Sequence, residues 1–179
     1  MNWSETIENF SNFLKFERNF SDNTLDAYVR DIKKLKTFAE EKLDDTSPEQ
    51  ISYENLQEYL VVLSKEKISE RTQARWISSI KSFFKYMLEE ELRENNPATL
   101  LEGPKLGLYL PDTLSMEDIE RILNVIDLGS DLGIRNHCII EVLYGCGLRV
   151  SELIDLKISD INFKENFLKV QGKGNEVRY

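Results

Sequence analysis

The sequence predicts a mainly α protein of two domains, a four-helix domain followed by an α+β domain. Three observations carry that expectation. Four successive stretches before residue 100 repeat apolar residues at three-and-four spacing, the period of an amphipathic helix. A segment with two prolines and two glycines, Gly103-Pro104-Lys105-Leu106-Gly107 through Pro111, interrupts the pattern. Short strand-like runs appear only after Asp160. The expected boundaries are a helical domain at 1–103, a linker at 104–111 and an incomplete second domain at 112–179.

The first helix is expected to start at an N-cap Ser4, with Ile7, Phe10, Phe13 and Leu14 on one face. Ser21-Asp22-Asn23 breaks it and caps the second. There Leu25, Tyr28, Val29, Ile32, Leu35 and Phe38 keep helical period, leaving Arg30, Lys33, Lys34 and Lys36 off the apolar stripe. Ser47-Pro48 opens a short helical turn, and Ser52 caps a third helix with the stripe Leu56, Tyr59, Leu60 and Leu63. The fourth, from about Glu70 to Leu92, aligns Trp76, Ile77, Ile80, Phe83, Phe84, Met87 and Leu88. Arg71, Thr72 and Arg75 fall in its first turns, and Asn95-Asn96-Pro97 stops it. Four such helices with short connections form a small bundle.

In the second domain, Ser115-Met116-Glu117-Asp118 has capping-box spacing and opens a helix carrying Ile119, Ile122, Leu123 and Ile126. Residues 134–146 are apolar on nearly every side, which predicts a buried central helix with Cys138 and Cys146 as small core residues. These two cysteines lie about 12 Å apart along the helix axis, too far for a disulfide. Gly145 and Gly147 supply a left-handed stop, and Val150-Ser151-Glu152-Leu153 restarts a short helix. Ile161, Phe163, Phe167, Leu168 and Val170 surround a turn at Lys164-Glu165-Asn166, which predicts two short strands. Another turn begins at Gly172, with its returning strand expected from Tyr179 onward. Nothing within 112–179 covers the central helix fully, so this region is expected to pack loosely.

Composition excludes several classes. With 41% hydrophobic and 31% charged residues the chain is neither disordered nor membrane-spanning, and its first residues lack the basic-then-apolar pattern of a signal peptide. A cytoplasmic location is expected. The single histidine, His137, has no partner at metal-ligand spacing, so no metal site is expected. The net charge of −9 opposes nucleic-acid binding by the chain as a whole. Basic residues nonetheless cluster locally, in Arg30, Lys33, Lys34 and Lys36 and again in Arg71, Arg75, Lys81 and Lys85.

The order Gly147-Leu148-Arg149-Val150-Ser151-Glu152-Leu153, then Gly172-Lys173-Gly174-Asn175, places an arginine at a helix start and a lysine in a glycine-flanked turn. A guanidinium fork and a mobile ammonium can converge on one phosphate. By residue type alone, Arg149 with Glu152 reads equally as a surface ion pair, and Lys173 as a solvated turn lysine. The order of these motifs resembles the tyrosine recombinases, most closely the Xer-type site-specific recombinases, and the helices before them resemble that family's core-binding domain.

The resemblance implies a four-helix SAM-like core-binding domain followed by the first part of a tyrosine-recombinase catalytic domain. It implies that Arg149 grips the scissile phosphate, that Glu152 holds its guanidinium in plane, and that Lys173 protonates the leaving 5′ oxygen. Glu176 departs from the family, where a basic residue is common. The resemblance also places Asn23, Thr24 and Tyr28 of the second helix, and Arg71, Thr72 and Arg75 of the fourth, where core-binding domains meet double-stranded DNA. Capping residues on a solvated charged face are the plainer account of that set. A full-length relative clamps DNA, assembles with further protomers as a tetramer on two sites, and exchanges strands through a 3′-phosphotyrosyl intermediate without metal or nucleotide. Both chromosome-dimer resolution and mobile-element integration fit. The family's second arginine, later histidine and nucleophilic tyrosine are expected beyond position 179, so this chain is expected not to cut DNA by itself. Two rival readings remain open, a non-catalytic DNA-binding fragment and a helical protein-interaction module.

Overall fold

In a computed structural model that describes residues 2–65, 68–107, 111–172 and 176–179, the chain divides into two compact units, Met1–Tyr109 and Leu110–Tyr179. The first holds four helices, α1 (Trp3–Phe16), α2 (Asp22–Lys42), α3 (Tyr53–Lys65) and α4 (Glu70–Glu89). The second holds α5 (Met116–Asn124), α6 (Asp131–Cys146) and α7 (Val150–Asp155), a 3₁₀ turn at Ile158–Asp160, and four two-residue strands. Strand β1 (Ile161–Asn162) pairs antiparallel with β2 (Phe167–Leu168), and β3 (Val170–Gln171) with β4 (Val177–Arg178).

The first unit is built on apolar burial. Its helices bring together Phe10, Leu14, Ile32, Leu35, Leu56, Ile80, Phe83 and Phe84, all essentially inaccessible to solvent. Phe83 is central. Its ring stacks 6.0 Å from Trp3 and meets Phe10 at 5.2 Å and Phe84 at 5.3 Å edge-on, geometries that suit the aromatic quadrupole. Beyond α4, Arg93 donates to the carbonyls of Pro48 (2.8 Å) and Ile51 (2.9 Å), fastening the following segment while Ala98 and Leu101 are buried.

Helix α1 starts before the expected Ser4. Asn2 is the cap, its side chain accepting from the Ser4 N–H at 2.8 Å. Tertiary contact explains the difference, because Trp3 is buried and its indole N–H donates to the Thr46 carbonyl at 2.9 Å, which draws the first turn onto the core. Ser52 does cap α3, through a reciprocal pair with Asn55. Helix α4 ends three residues short of the expected Leu92. Glu91 takes a φ of 55° and the Leu92 N–H turns back to the Met87 carbonyl at 2.8 Å.

The second unit is differently made. Ser115 and Asp118 form the expected capping box on α5. Helix α6 begins at Asp131, not 134, because the Ser130 hydroxyl caps the Gly133 N–H at 3.1 Å. Gly133 is obligatory there, since a Cβ would lie 1.7 Å from the Asp127 carbonyl oxygen. The expectation that α6 is a buried centre is not met. Ile134 is 55% and Tyr144 50% exposed, and Cys138 and Cys146 are exposed thiols instead of core residues. Apolar residues around a helix call for neighbours on every side, and among the described elements α7 alone packs substantially on α6. A groove of about 890 Å³ lined by Val142, Cys146, Leu148, Phe163 and Phe167 opens beside it. Val170 is the only buried large hydrophobic residue of this unit among those described.

The return of the last turn also comes earlier than expected. The Gly172 N–H donates to the Glu176 carbonyl at 2.7 Å, which closes the turn and sets Val177, not Tyr179, at the start of β4. Among the described residues, no helix is long and apolar enough to cross a membrane.

Replacing Phe83 with Ala is expected to destabilise the first unit by about 3–5 kcal/mol through lost burial and an unfilled cavity. Trp3 and Trp76, the chain's two tryptophans, are both buried in that unit, so urea unfolding followed by their fluorescence reads it selectively. A loss below about 1 kcal/mol would contradict the central place given to Phe83.

Candidate nucleic-acid interface

Gly147 ends α6 at φ 58°, a left-handed conformation open to glycine at little cost, and the chain reverses into Arg149. Arg149 is the N-cap of α7, and Glu152 stands three residues on. That spacing folds the carboxylate back over the helix start. Glu152 Oε2 accepts from the Arg149 backbone N–H at 2.8 Å, and Oε1 accepts from Arg149 Nη1 at 2.7 Å. Strand β4 adds a third contact, with Arg178 Nη2 donating to Oε2 at 2.6 Å and to the Gly147 carbonyl at 3.1 Å.

Burial and charge sort these groups. The Glu152 side chain is 5% exposed, whereas Arg149 is 67% and Arg178 46% exposed. The anion lies beneath its cations. The Arg149 backbone N–H holds the Glu152 carboxyl below the ordinary glutamate range against the opposing effect of desolvation. The Arg149 side-chain hydrogen bond and the charges of Arg178 and Arg149 add to that lowering. Lys173 lies outside the described residues.

The other predicted residues lie at the starts of α2 and α4. Asn23 is exposed, and Thr24 and Tyr28 are half-buried. The Thr24 hydroxyl is 2.9 Å from that of Ser21, and Tyr28 packs edge-on against Phe20 at 5.4 Å. On α4, Ser69 caps Thr72, and Arg71 is exposed. Arg75 is drawn inward. Its Nη1 donates to Asp31 Oδ2 at 2.6 Å and to the Ala27 carbonyl at 3.2 Å, and Ser79 donates to the same carboxylate oxygen at 2.8 Å. Asp31 is 2% exposed. Tyr28 belongs to the same neighbourhood, its hydroxyl pKa raised by burial and by the Asp31 charge and lowered in part by Arg75. The structure thus binds Arg75 to Asp31, with Tyr28 within reach of that charge, and joins Arg149 to Glu152. Among the described residues, no group of three or more His, Cys, Asp or Glu side chains could hold a metal ion.

Two residues of these clusters escape the sequence pattern. Asp31 left a signal, a carboxylate on the apolar stripe between Tyr28 and Leu35, facing a helix on which Arg75 and Ser79 stand four apart. Arg178 left none, because its partner depends on where the preceding turn closes.

A carboxyl held below its ordinary pKa stabilises the folded state above the unfolded pKa, and that contribution is lost as pH falls through the folded value. The α7 start and β4 are therefore expected to stay locked at neutral pH and to loosen only below the ordinary glutamate range. Titration of the Arg149 amide by NMR follows this directly. A midpoint at or above the ordinary value, or an unchanged titration in Glu152→Gln, would contradict it.

Comparison with known proteins bears on both units. The family model for the phage integrase N-terminal SAM-like domain matches residues 7–91, and that for the phage integrase family matches residues 112–179. The chain is 37% identical over 172 residues to tyrosine recombinase XerD of Oceanobacillus iheyensis and 38% identical over 172 residues to that of Staphylococcus haemolyticus. Each alignment covers 96% of this chain and 58% of the relative, so the chain spans little more than half the length of these proteins. Among solved structures, XerH recombinase bound to palindromic difH substrate matches with a TM-score of 0.66 at 22% identity, covering 96% of this chain and 52% of that one. The Tn1549 transposon integrase in complex with a circular intermediate DNA matches at 0.67 and 18%, covering 96% and 55%. At those identities the two structures speak for the fold, while the two family models cover both units in order, and on that ground the chain belongs to the phage integrase family, the tyrosine recombinases.

Proposed function

We propose that this chain is the DNA-gripping front part of a site-specific tyrosine recombinase of the Xer type. The observation that carries the reading is the exposed Arg149 guanidinium held by a buried Glu152. In-line displacement at a phosphodiester spreads negative charge over the non-bridging oxygens, and a preorganised guanidinium stabilises that charge most at the transition state. Arg149 supplies that group. Lys173 would protonate the leaving 5′ oxygen, a role that a lysine ammonium can fill when its pKa is tuned toward the operating range. No cofactor takes part.

Double-stranded DNA is the partner in this reading, supported by the XerH structure, which is bound to a palindromic difH substrate, and by the Tn1549 integrase structure, which is in complex with a circular intermediate DNA. Asn23, Thr24, Tyr28, Arg71 and Thr72 at the starts of α2 and α4 would meet its backbone and grooves. Arg75 takes part by holding that corner together through Asp31. In the whole protein, further recombinase protomers would complete a tetramer, in the service of chromosome-dimer resolution or mobile-element integration.

Covalent attack needs a tyrosine, and four of those described are engaged in packing. Tyr59 and Tyr86 are core residues, Tyr28 packs on Phe20, and Tyr179 packs edge-on against Phe167 at 5.4 Å. In this reading the family's nucleophilic tyrosine is none of these, and the chain binds DNA without cutting it.

Duplex affinity measured across a salt series, on recombination-site sequences and a scrambled control, tests the reading. Affinity is expected to fall steeply with salt, and Arg149→Ala to flatten the slope of log affinity against log salt by about 0.9, the loss of one phosphate contact. Arg71→Ala is the better probe of the first unit than Arg75→Ala, which would strand Asp31 and unsettle the fold. Absence of binding at low salt would overturn the proposal in favour of a protein-interaction module. A covalent protein–DNA adduct would overturn the statement that the chain does not cut.

A further inference from the structure

A carboxylate that orients the Arg149 guanidinium also cancels its charge, and a neutral pair has little attraction for a phosphate diester. The structure holds an answer in Arg178. Arg149 Nη1 donates to Glu152 Oε1, and Arg178 Nη2 donates to Oε2, so each guanidinium has a carboxylate oxygen of its own. Two cations then stand against one anion. The anion is the buried member and both cations reach solvent. Arg178 also donates to the carbonyl of Gly147, the residue whose left-handed turn delivers the chain into Arg149. One side chain on β4 thus fixes both the acid that orients Arg149 and the turn that aims it.

We propose that Arg178 is a positioning residue for Arg149. By occupying the second oxygen of Glu152 it leaves Arg149 oriented by that carboxylate, while the cluster as a whole keeps a net positive charge toward a phosphate diester. This rests on Arg149 as the phosphate ligand, and it adds a residue outside the motifs that pointed there. It differs from direct contact between Arg178 and DNA in one measurable respect. If Arg178 acts through Glu152, its importance vanishes when Glu152 loses its charge.

The test is a double-mutant cycle on the full 179-residue chain, with duplex affinity measured across salt for Arg178→Gln, Glu152→Gln and the double variant. Arg178→Gln is expected to weaken binding about tenfold at low salt and to flatten the salt slope by about 0.9. In the Glu152→Gln background the same change is expected to alter affinity less than about twofold. Arg178→Lys, which keeps the charge, is expected to keep the slope. A loss of equal size in both backgrounds would overturn the proposal, whether Arg178 touches DNA itself or merely maintains the strand pairing. Unchanged affinity in Arg178→Gln beside weakened binding in Arg149→Ala would overturn the role of Arg178 alone. Unchanged affinity in both would remove the reading of Arg149 as well.

Discussion

Burial of the Glu152 carboxylate is the constraint on which the second unit depends. An ion taken out of water must recover its lost hydration from fixed partners, and a buried charge deprived of them destabilises the fold. Three bonds meet that demand here, from the Arg149 backbone, the Arg149 side chain and Arg178. Two come from the start of α7 and one from β4. Neither segment can move far without exposing or stranding the carboxylate. In a unit where Val170 is the only large hydrophobic residue buried among those described, a polar cluster supplies much of the definition that a core gives elsewhere.

The first unit reaches order by the opposite route and then repeats the device. Its interdigitated aromatic rings around Phe83 bury enough apolar surface to hold four helices together. Within that core Asp31 is a second buried carboxylate, gripped on one oxygen by Arg75 and Ser79. Its other oxygen, Oδ1, has no hydrogen-bond partner among the described residues. The asymmetry with Glu152 is informative. Asp31 ties two helices already packed by hydrophobic contact, so its bonds set orientation, whereas those of Glu152 join segments that little else joins.

The helices were legible because amphipathic period is a local property, written into every turn of Leu25 to Phe38 or Trp76 to Leu88. What depended on distant residues was not. Trp3 reaches Thr46 and brings the start of α1 forward, an effect no window around Ser4 contains. The composition of α6 reveals that the helix is apolar and says nothing of what covers it, so Cys138 and Cys146 were assigned to a core and stand exposed. At the site, the three-residue spacing of Arg149 and Glu152 announced their pairing, as it does on any helix start. Arg178 stayed hidden because cross-strand partners follow from turn closure, and the Gly172–Glu176 bond that closes this turn cannot be read from residue order.

The exposed guanidiniums of Arg149 and Arg178 sit on a chain whose net charge is −9. A polyanion approaching from afar meets an anion and is repelled. Only within a Debye length, about 10 Å at moderate salt, does the local pair outweigh the rest. Salt then acts oppositely on the two halves of an encounter, speeding arrival by screening the long-range repulsion and speeding departure by weakening the contact. Faster arrival raises affinity and faster departure lowers it, and the loss on departure prevails, so affinity falls as salt rises.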